Sequence, residues 1–293
     1  MGKTVRMLSS DGFISAAAID ATDIVQRAHE IHGTSATASA ALGRALAIAS
    51  LIGGGIKVEN GSVTLQFAGG GPGGTMVVVS ESDGSVRGCV QDPSVDLPRK
   101  PNGKLDVGSY VGIDGRLTVI KDLQMKDPYV GTVALVGGEI AEDVAAYFAE
   151  SEQTPSVVAA GVLVNPGGEI AAAGAYIIQL MPGATSDIID RLETAAYRAA
   201  SVTEMLRESI GPEKMLLRLL DGFAMEKVEE YDAFYRCTCS RERVERALIS
   251  IGELELDRMI REDGKAEVTC RFCDKVYRFS ETDLRELLHS ART

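Results

Sequence analysis

The sequence predicts an α+β protein in three parts: a mainly antiparallel N-terminal sheet with helices, a helical connector, and a small C-terminal module organised by cysteines. Three observations predict it. In the first half, short apolar runs are separated by turns at Asp11-Gly12, Asn60-Gly61, Asp83-Gly84, Asn102-Gly103 and Asp114-Gly115, where glycine supplies the positive φ of tight hairpins. At Met181-Pro182-Gly183 the pattern changes to helical periodicity with an acidic balance. Four of the five cysteines then fall within the last 57 residues. The expected divisions are therefore 1–182, 183–236 and 237–293.

In chain order, strands are expected at 5–9 and 13–19, followed by helices at 22–31 and 35–52, the second rich in Ala and suited to close packing. Further strands are expected at 63–68, 75–80, 86–90, 117–121 and 132–136, with a helix at 140–148. The runs 156–164 and 169–180 form an apolar hairpin around Asn165-Pro166-Gly167-Gly168. From Ser186 to Asp232 there are 11 acidic and 6 basic residues, net -5. Within it Ile188, Leu192, Ala195, Ala199, Val202 and Leu206 make one helical stripe, ended at Ile210-Gly211-Pro212. A second helical piece carries Met215, Leu216, Leu219 and Leu220, and then Gly222, Met225 and Val228.

Composition narrows the function classes. At 45% hydrophobic and 25% charged residues the chain is ordinary globular material, and a net charge of -12 has the wrong sign for a partner made of phosphate backbone. Nucleic acid is therefore not expected as a partner. The most apolar run, 45–56, has 12 residues where a bilayer crossing takes ~20, and the N-terminus MGKTVRMLSSDG has no apolar leader. No membrane association is expected, and a cytoplasmic location is.

The chemistry concentrates in Cys237-Thr238-Cys239 and Cys270-Arg271-Phe272-Cys273, a C-x-C and a C-x-x-C pair separated by 30 residues. Four sulfurs in two short chelating pairs suit tetrahedral zinc, with thiolates at ~2.3 Å. The second pair sits in the turn of AEVTCRFCDKVYRF, between two strand-like flanks. Ser240 is placed to cap a helix over 241–249, and Ser280 with Asp283 to start one over 281–289. Residues 236–246 and 270–279 are each net +2, and nearby cations favour thiolates. The residues alone leave open a closed structural zinc site, two inert reduced pairs, or a redox sensor, since one spacer residue also holds two thiols close enough for a strained disulfide.

The segments CTCSRERVERALISIGELEL and EVTCRFCDKVYRF, together with HGTSATASAALGRALAIASL, the Gly-rich GGGPGG and the order of the three parts, resemble the redox-regulated heat shock protein 33 chaperonins. The resemblance implies an ATP-independent holdase without catalytic residues. It implies one zinc per chain on Cys237, Cys239, Cys270 and Cys273 when reduced. On oxidation it implies disulfides Cys237-Cys239 and Cys270-Cys273, loss of zinc, unfolding of the connector, binding of unfolding client proteins, and a homodimeric active form. Two other functions are weighed against it. A thiol-disulfide oxidoreductase using Cys270 and Cys273 is disfavoured because such a motif belongs near a βαβ unit, and a zinc-ribbon nucleic-acid binder is disfavoured by net charge.

Other features carry less. Gly69, Gly71 and Gly74 match the dinucleotide fingerprint G-x-G-x-x-G, but the residues that follow read as a strand rather than a helix. His29 and His32 lie one turn apart without a third ligand type nearby, and an ordinary helix face is expected. Cys89 is expected to be a small buried residue. No Ser/His/Asp or paired-carboxylate arrangement is apparent, and the chain is not expected to be an enzyme.

Overall fold

The computed structural model describes residues 1–291, and contacts within the chain group it into two compact units, 1–236 and the residues from Cys237 onward. The first unit begins with β1 (Gly2–Ser9) and β2 (Ile14–Asp20), which form a hairpin whose turn uses Gly12 at φ 77°. α1 (Thr22–His32) and α2 (Ala36–Gly53) follow. Ser35 caps α2 by accepting the Ala38 N–H at 3.1 Å. Next come β3 (Ser62–Ala68), β4 (Met76–Glu81), β5 (Ser85–Val90), α3 (Val107–Val111), β6 (Arg116–Asp122), β7 (Tyr129–Ala134), α4 (Ala141–Glu150), and the hairpin β8 (Ser156–Val164) and β9 (Ile170–Leu180). α5 (Ser186–Tyr197), α6 (Val202–Arg207), α7 (Pro212–Leu219) and β10 (Met225–Tyr235) complete the unit.

Ten strands make one sheet in the order β7-β6-β3-β4-β5-β10-β1-β2-β9-β8. Every neighbouring pair is antiparallel except β10 and β5, which run parallel and share two paired positions. α2 packs on β2, β8 and β9 from one half and on β3, β4 and β5 from the other, while α4 touches both outermost strands, β7 and β8. The sheet therefore wraps α2. The composition of the helix is what permits this: a Cβ at Gly43 would stand 2.6 Å from Val25 Cγ1 and 2.8 Å from Val162 Cγ2. The helix is 89% buried, so its apolar length reflects a core position.

The β1-β2-β9 part of the sheet is buried on both faces. One face, with Ala17, Ile19, Ala175 and Ile177, belongs to the core around α2. The other, with Val5, Met7, Ile14, Ala16, Ala18, Tyr176 and Ile178, is covered by Ile188, Leu192, Val202, Met205, Met215, Leu216 and Leu219 of α5 to α7. Burial on two faces explains why these strands read as continuous apolar runs rather than as alternating ones.

Two expectations about residues 183–236 are corrected. The stripe from Ile188 to Leu206 is interrupted at 198–201, where Ser201 starts a new helix through a capping box: its hydroxyl accepts the Glu204 N–H and the Glu204 carboxylate accepts the Ser201 N–H. Residues 225–235, expected to be helical, form strand β10 against β1. Glu226, Glu229 and Glu230 hide the period-two pattern of its second half, where Tyr231, Ala233 and Tyr235 turn inward.

The second unit contains α8 (Arg241–Ser250), α9 (Glu253–Glu262), β11 (Lys265–Thr269), β12 (Val276–Ser280) and α10 (Glu281–Ala291). β11 and β12 form an antiparallel hairpin. Its core is small, built on Leu248, Leu256, Ile260, Tyr277, Phe279, Leu284 and Leu288. Both expected caps are present: Ser240 accepts the Arg243 N–H, and Ser280 and Asp283 exchange backbone hydrogen bonds at the start of α10.

Candidate metal centre

The four clustered cysteines come from two loops that the local sequence shapes independently. Cys237 and Cys239 lie in the extended segment before Ser240 turns the chain into α8. Cys270 and Cys273 occupy the turn between β11 and β12, where the Cys270 carbonyl accepts the N–H groups of Cys273 and Asp274, and the Cys270 N–H returns to the Lys275 carbonyl. Asp274 completes the knuckle at φ 56°. The four Sγ atoms all lie within 4.8 Å of one another, with Cys237 to Cys270 at 3.7 Å and Cys239 to Cys273 at 3.4 Å. Tetrahedral thiolates at ~2.3 Å from a metal stand roughly 3.8 Å apart, so the cluster has the size a tetrahedral ion requires. All four are half-buried.

As thiols the four are not equivalent. Burial raises Cys237, and burial first of all pushes Cys273 up to about 11. Cys239 falls to about 7: burial alone would raise it, but hydrogen bonds from the Tyr277 hydroxyl and from neighbouring cysteines outweigh that effect. Tyr277 is the functional side chain that the sequence reading missed. Its hydroxyl donates to Cys239 Sγ at 3.1 Å, and Lys275 Nζ lies 5.1 Å from its ring centroid. Its position on a strand four residues beyond Cys273 was visible, but which sulfur it meets depends on how the two loops come together.

Among the basic residues expected to favour thiolates, Arg243 Nη1 donates to the Thr238 hydroxyl at 2.8 Å, between the two cysteines of the first pair. Arg241 instead stacks on Phe279, pairs with Glu245 and Asp283, and donates to the Arg278 carbonyl, so its role is to hold α8 on the hairpin. Removing the Tyr277 hydroxyl as Tyr277→Phe is expected to weaken metal retention by about tenfold while leaving the fold intact, since groups outside the ligands typically tune affinity 10–100-fold. Competition with a chelator checks this, and unchanged retention would remove Tyr277 from the site.

The weaker sequence signals are not brought to this centre. His29 Nδ1 lies 3.1 Å from the Thr34 hydroxyl and 3.2 Å from that of Ser39, whereas His32 Nε2 meets the Gly88 carbonyl and the Tyr235 hydroxyl, so the two do not share a ligand. Cys89 is half-buried on β5 opposite Val77, more open than expected. Gly69 and Gly71 pack against the end of α3, Gly74 lies against the Gln91 side chain, and the segment leads into β4, so no helix N-terminus stands behind these glycines to receive a pyrophosphate. The C-x-x-C pair lies in a hairpin turn and lacks the helix N-terminus that activates oxidoreductase cysteines.

The fold of the whole chain has a counterpart among solved structures. The crystal structure of the 33 kDa chaperonin (heat shock protein 33 homolog) from Thermotoga maritima matches with a TM-score of 0.88 and 36% identity, covering 98% of each chain. The 33 kDa chaperonins of Thermoanaerobacter sp. (strain X514) and Clostridioides difficile (strain 630) are 45% identical over 287 residues and 44% identical over 284. The alignments cover 98% and 97% of both chains, respectively. The sequence model described as Hsp33 protein matches residues 2–280. The chain belongs to the Hsp33 chaperonin family.

Proposed function

We propose that this protein is an ATP-independent holdase, held inactive by one zinc ion on Cys237, Cys239, Cys270 and Cys273, and switched on when those cysteines are oxidised. The observation that carries the reading is the apolar sheet face of Val5, Met7, Ile14, Tyr176 and Ile178, covered by α5 to α7 within the chain segment that runs into the cysteine module. Such a face is a ready client surface once uncovered, and its cover is three short helices that gain little stability alone.

Zinc, when bound, supplies four bonds that tie the 237–239 loop to the 270–273 knuckle. With a core as small as that of the second unit, those bonds contribute much of the folding free energy. A two-electron oxidant of the peroxide class converts two thiols to one disulfide and is itself reduced to two waters, so emptying the site takes two equivalents. The proposed products are Cys237-Cys239 and Cys270-Cys273, because short spacers give each thiol its highest effective concentration of partner once the module loosens. In the folded cluster sulfurs also approach closely between the loops, Cys237 to Cys270 at 3.7 Å and Cys239 to Cys273 at 3.4 Å, so cross-pairs are open to a module that stays folded and neighbour pairing is what an opened module favours. Peptide mapping of the oxidised protein distinguishes the two, and a dominant cross-pair would contradict opening.

Disorder in the module reaches β10 through the chain itself, since only Arg236 separates Tyr235 from Cys237. Residues 183–236 then let go, and both the sheet face and the Met-containing stripe of the connector meet unfolding proteins. A homodimeric active form and a cytoplasmic location belong to the same reading. Light scattering of a thermally unfolding client tests it: the oxidised protein suppresses aggregation without nucleotide and the reduced, zinc-loaded protein does not. Equal suppression by both forms would sink the switch.

A further inference from the structure

A cavity of about 320 Å³ opens at the C-terminal end of α2, where the wrapped sheet leaves the helix end uncovered. Its apolar wall includes Ile52, Phe148 and Ile177, and its polar wall includes Arg6, Lys121 and Glu152. Lys121 and Glu152 pair with each other, and the Tyr147 hydroxyl also donates to Glu152, so this part of the wall is electrically settled. Arg6 is not. One of its Nη atoms donates to the Leu51 carbonyl at 2.6 Å, which caps the helix end, but its Nε is buried without a partner. Glu229 faces Arg6 across the β1–β10 register, yet it is taken by Lys57 at 2.9 Å. Among the described residues no carboxylate makes an ion pair with Arg6. A guanidinium offers five donors in a planar fork, and this half-buried one has only neutral oxygens beside it, the Leu51 carbonyl and the Tyr231 hydroxyl, with no anionic partner.

The backbone is shaped around this group. A Cβ on Gly55 would lie 2.3 Å from Arg6 Nη2, so glycine there is what leaves room for the guanidinium. A cation seated beside a small apolar cavity, at the mouth of a barrel-like sheet, is the arrangement that orients an amphipathic anion: the charge fixes the head and the wall takes the tail. We propose that this cavity is a binding site for a small monocarboxylate with an apolar tail, its carboxylate held by Arg6 and its tail packed on Ile52, Phe148 and Ile177. The site lies wholly within the first unit and does not depend on the cysteine switch.

The test uses the full chain, reduced and zinc-loaded, titrated calorimetrically with octanoate, octanol and octylamine. Octanoate is expected to bind at one site per chain, with the neutral and cationic probes at least tenfold weaker. Arg6→Gln is expected to weaken octanoate at least tenfold. Gly55→Ala keeps the arginine but displaces its guanidinium, and is expected to weaken octanoate several-fold in a folded protein, which keeps the proposal testable if Arg6→Gln fails to fold. Octanol binding as tightly as octanoate, octanoate binding unchanged in the folded variants, or no saturable binding to the wild type would each overturn it.

Discussion

Cys270→Ser is expected to cost the reduced protein its zinc, the order of its second unit and its inactive state together. Structural zinc in small domains is worth about 10–16 kcal/mol at neutral pH, so the loss of one thiolate of four takes away roughly 3 kcal/mol and weakens retention on the order of a hundredfold. Cys270 contributes more than a sulfur to the centre. Its carbonyl accepts two N–H groups of the knuckle and it packs on the small core of Tyr277, Phe279 and Leu284, so an unbound knuckle loosens the hairpin that core rests on. The variant should therefore contain little zinc after dialysis, lose hydrogen-exchange protection in β11 and β12, and suppress client aggregation without oxidant. Full zinc content with Cys89 serving in place of Cys270 would contradict the ligand set. Zinc loss without chaperone activity would break the proposed link between the module and the client surface, leaving the metal centre itself intact.

The sequence disclosed most of this centre because short-range chemistry builds it. Two chelating pairs, a Ser240 cap and a Ser280–Asp283 box are local features, and each is found where the pattern put it. Tyr277 escaped because its partner sulfur, Cys239, is 38 residues away along the chain and only the packing of two loops joins them. In the first unit, the hairpins announced by Asp11-Gly12 and Asp83-Gly84 are present because a turn is a local decision. β10 was illegible for the opposite reason. Its glutamates have poor strand propensity, and the pairing that makes it a strand comes from β1, more than two hundred residues earlier. The break at 198–201 was readable in principle: Ser201 and Glu204 spell a capping box, but the continuous apolar stripe outweighed it.

Leu216→Ala is expected to turn the reduced, zinc-loaded protein into a partly active chaperone. Leu216 is 0% exposed on α7, and its neighbours in that layer, Met205 and Met215, are 1% and 0% exposed. Truncating such a leucine costs about 2–5 kcal/mol, because the transfer energy of the lost carbons is compounded by the cavity they leave. A core around α2 would absorb that loss within the stability of the whole unit. The layer of α5 to α7 has less to spare: its helices are 12, 6 and 8 residues long, short enough to depend on packing, and both connections between them carry exposed residues, Arg198 and Ser201 in one and Glu208 and Ser209 in the other. Their release from Val5, Met7, Ile14 and Tyr176 is therefore expected to become measurable, with hydrogen exchange accelerating at 186–219 while α2 and β9 stay protected and zinc stays bound. Client suppression by the reduced variant should rise in the same proportion. If 186–219 remains as protected as in the wild type, the helical layer is an integral part of the first unit rather than a releasable cover. If protection falls and clients are still not held, the face beneath α5 to α7 is not where they bind.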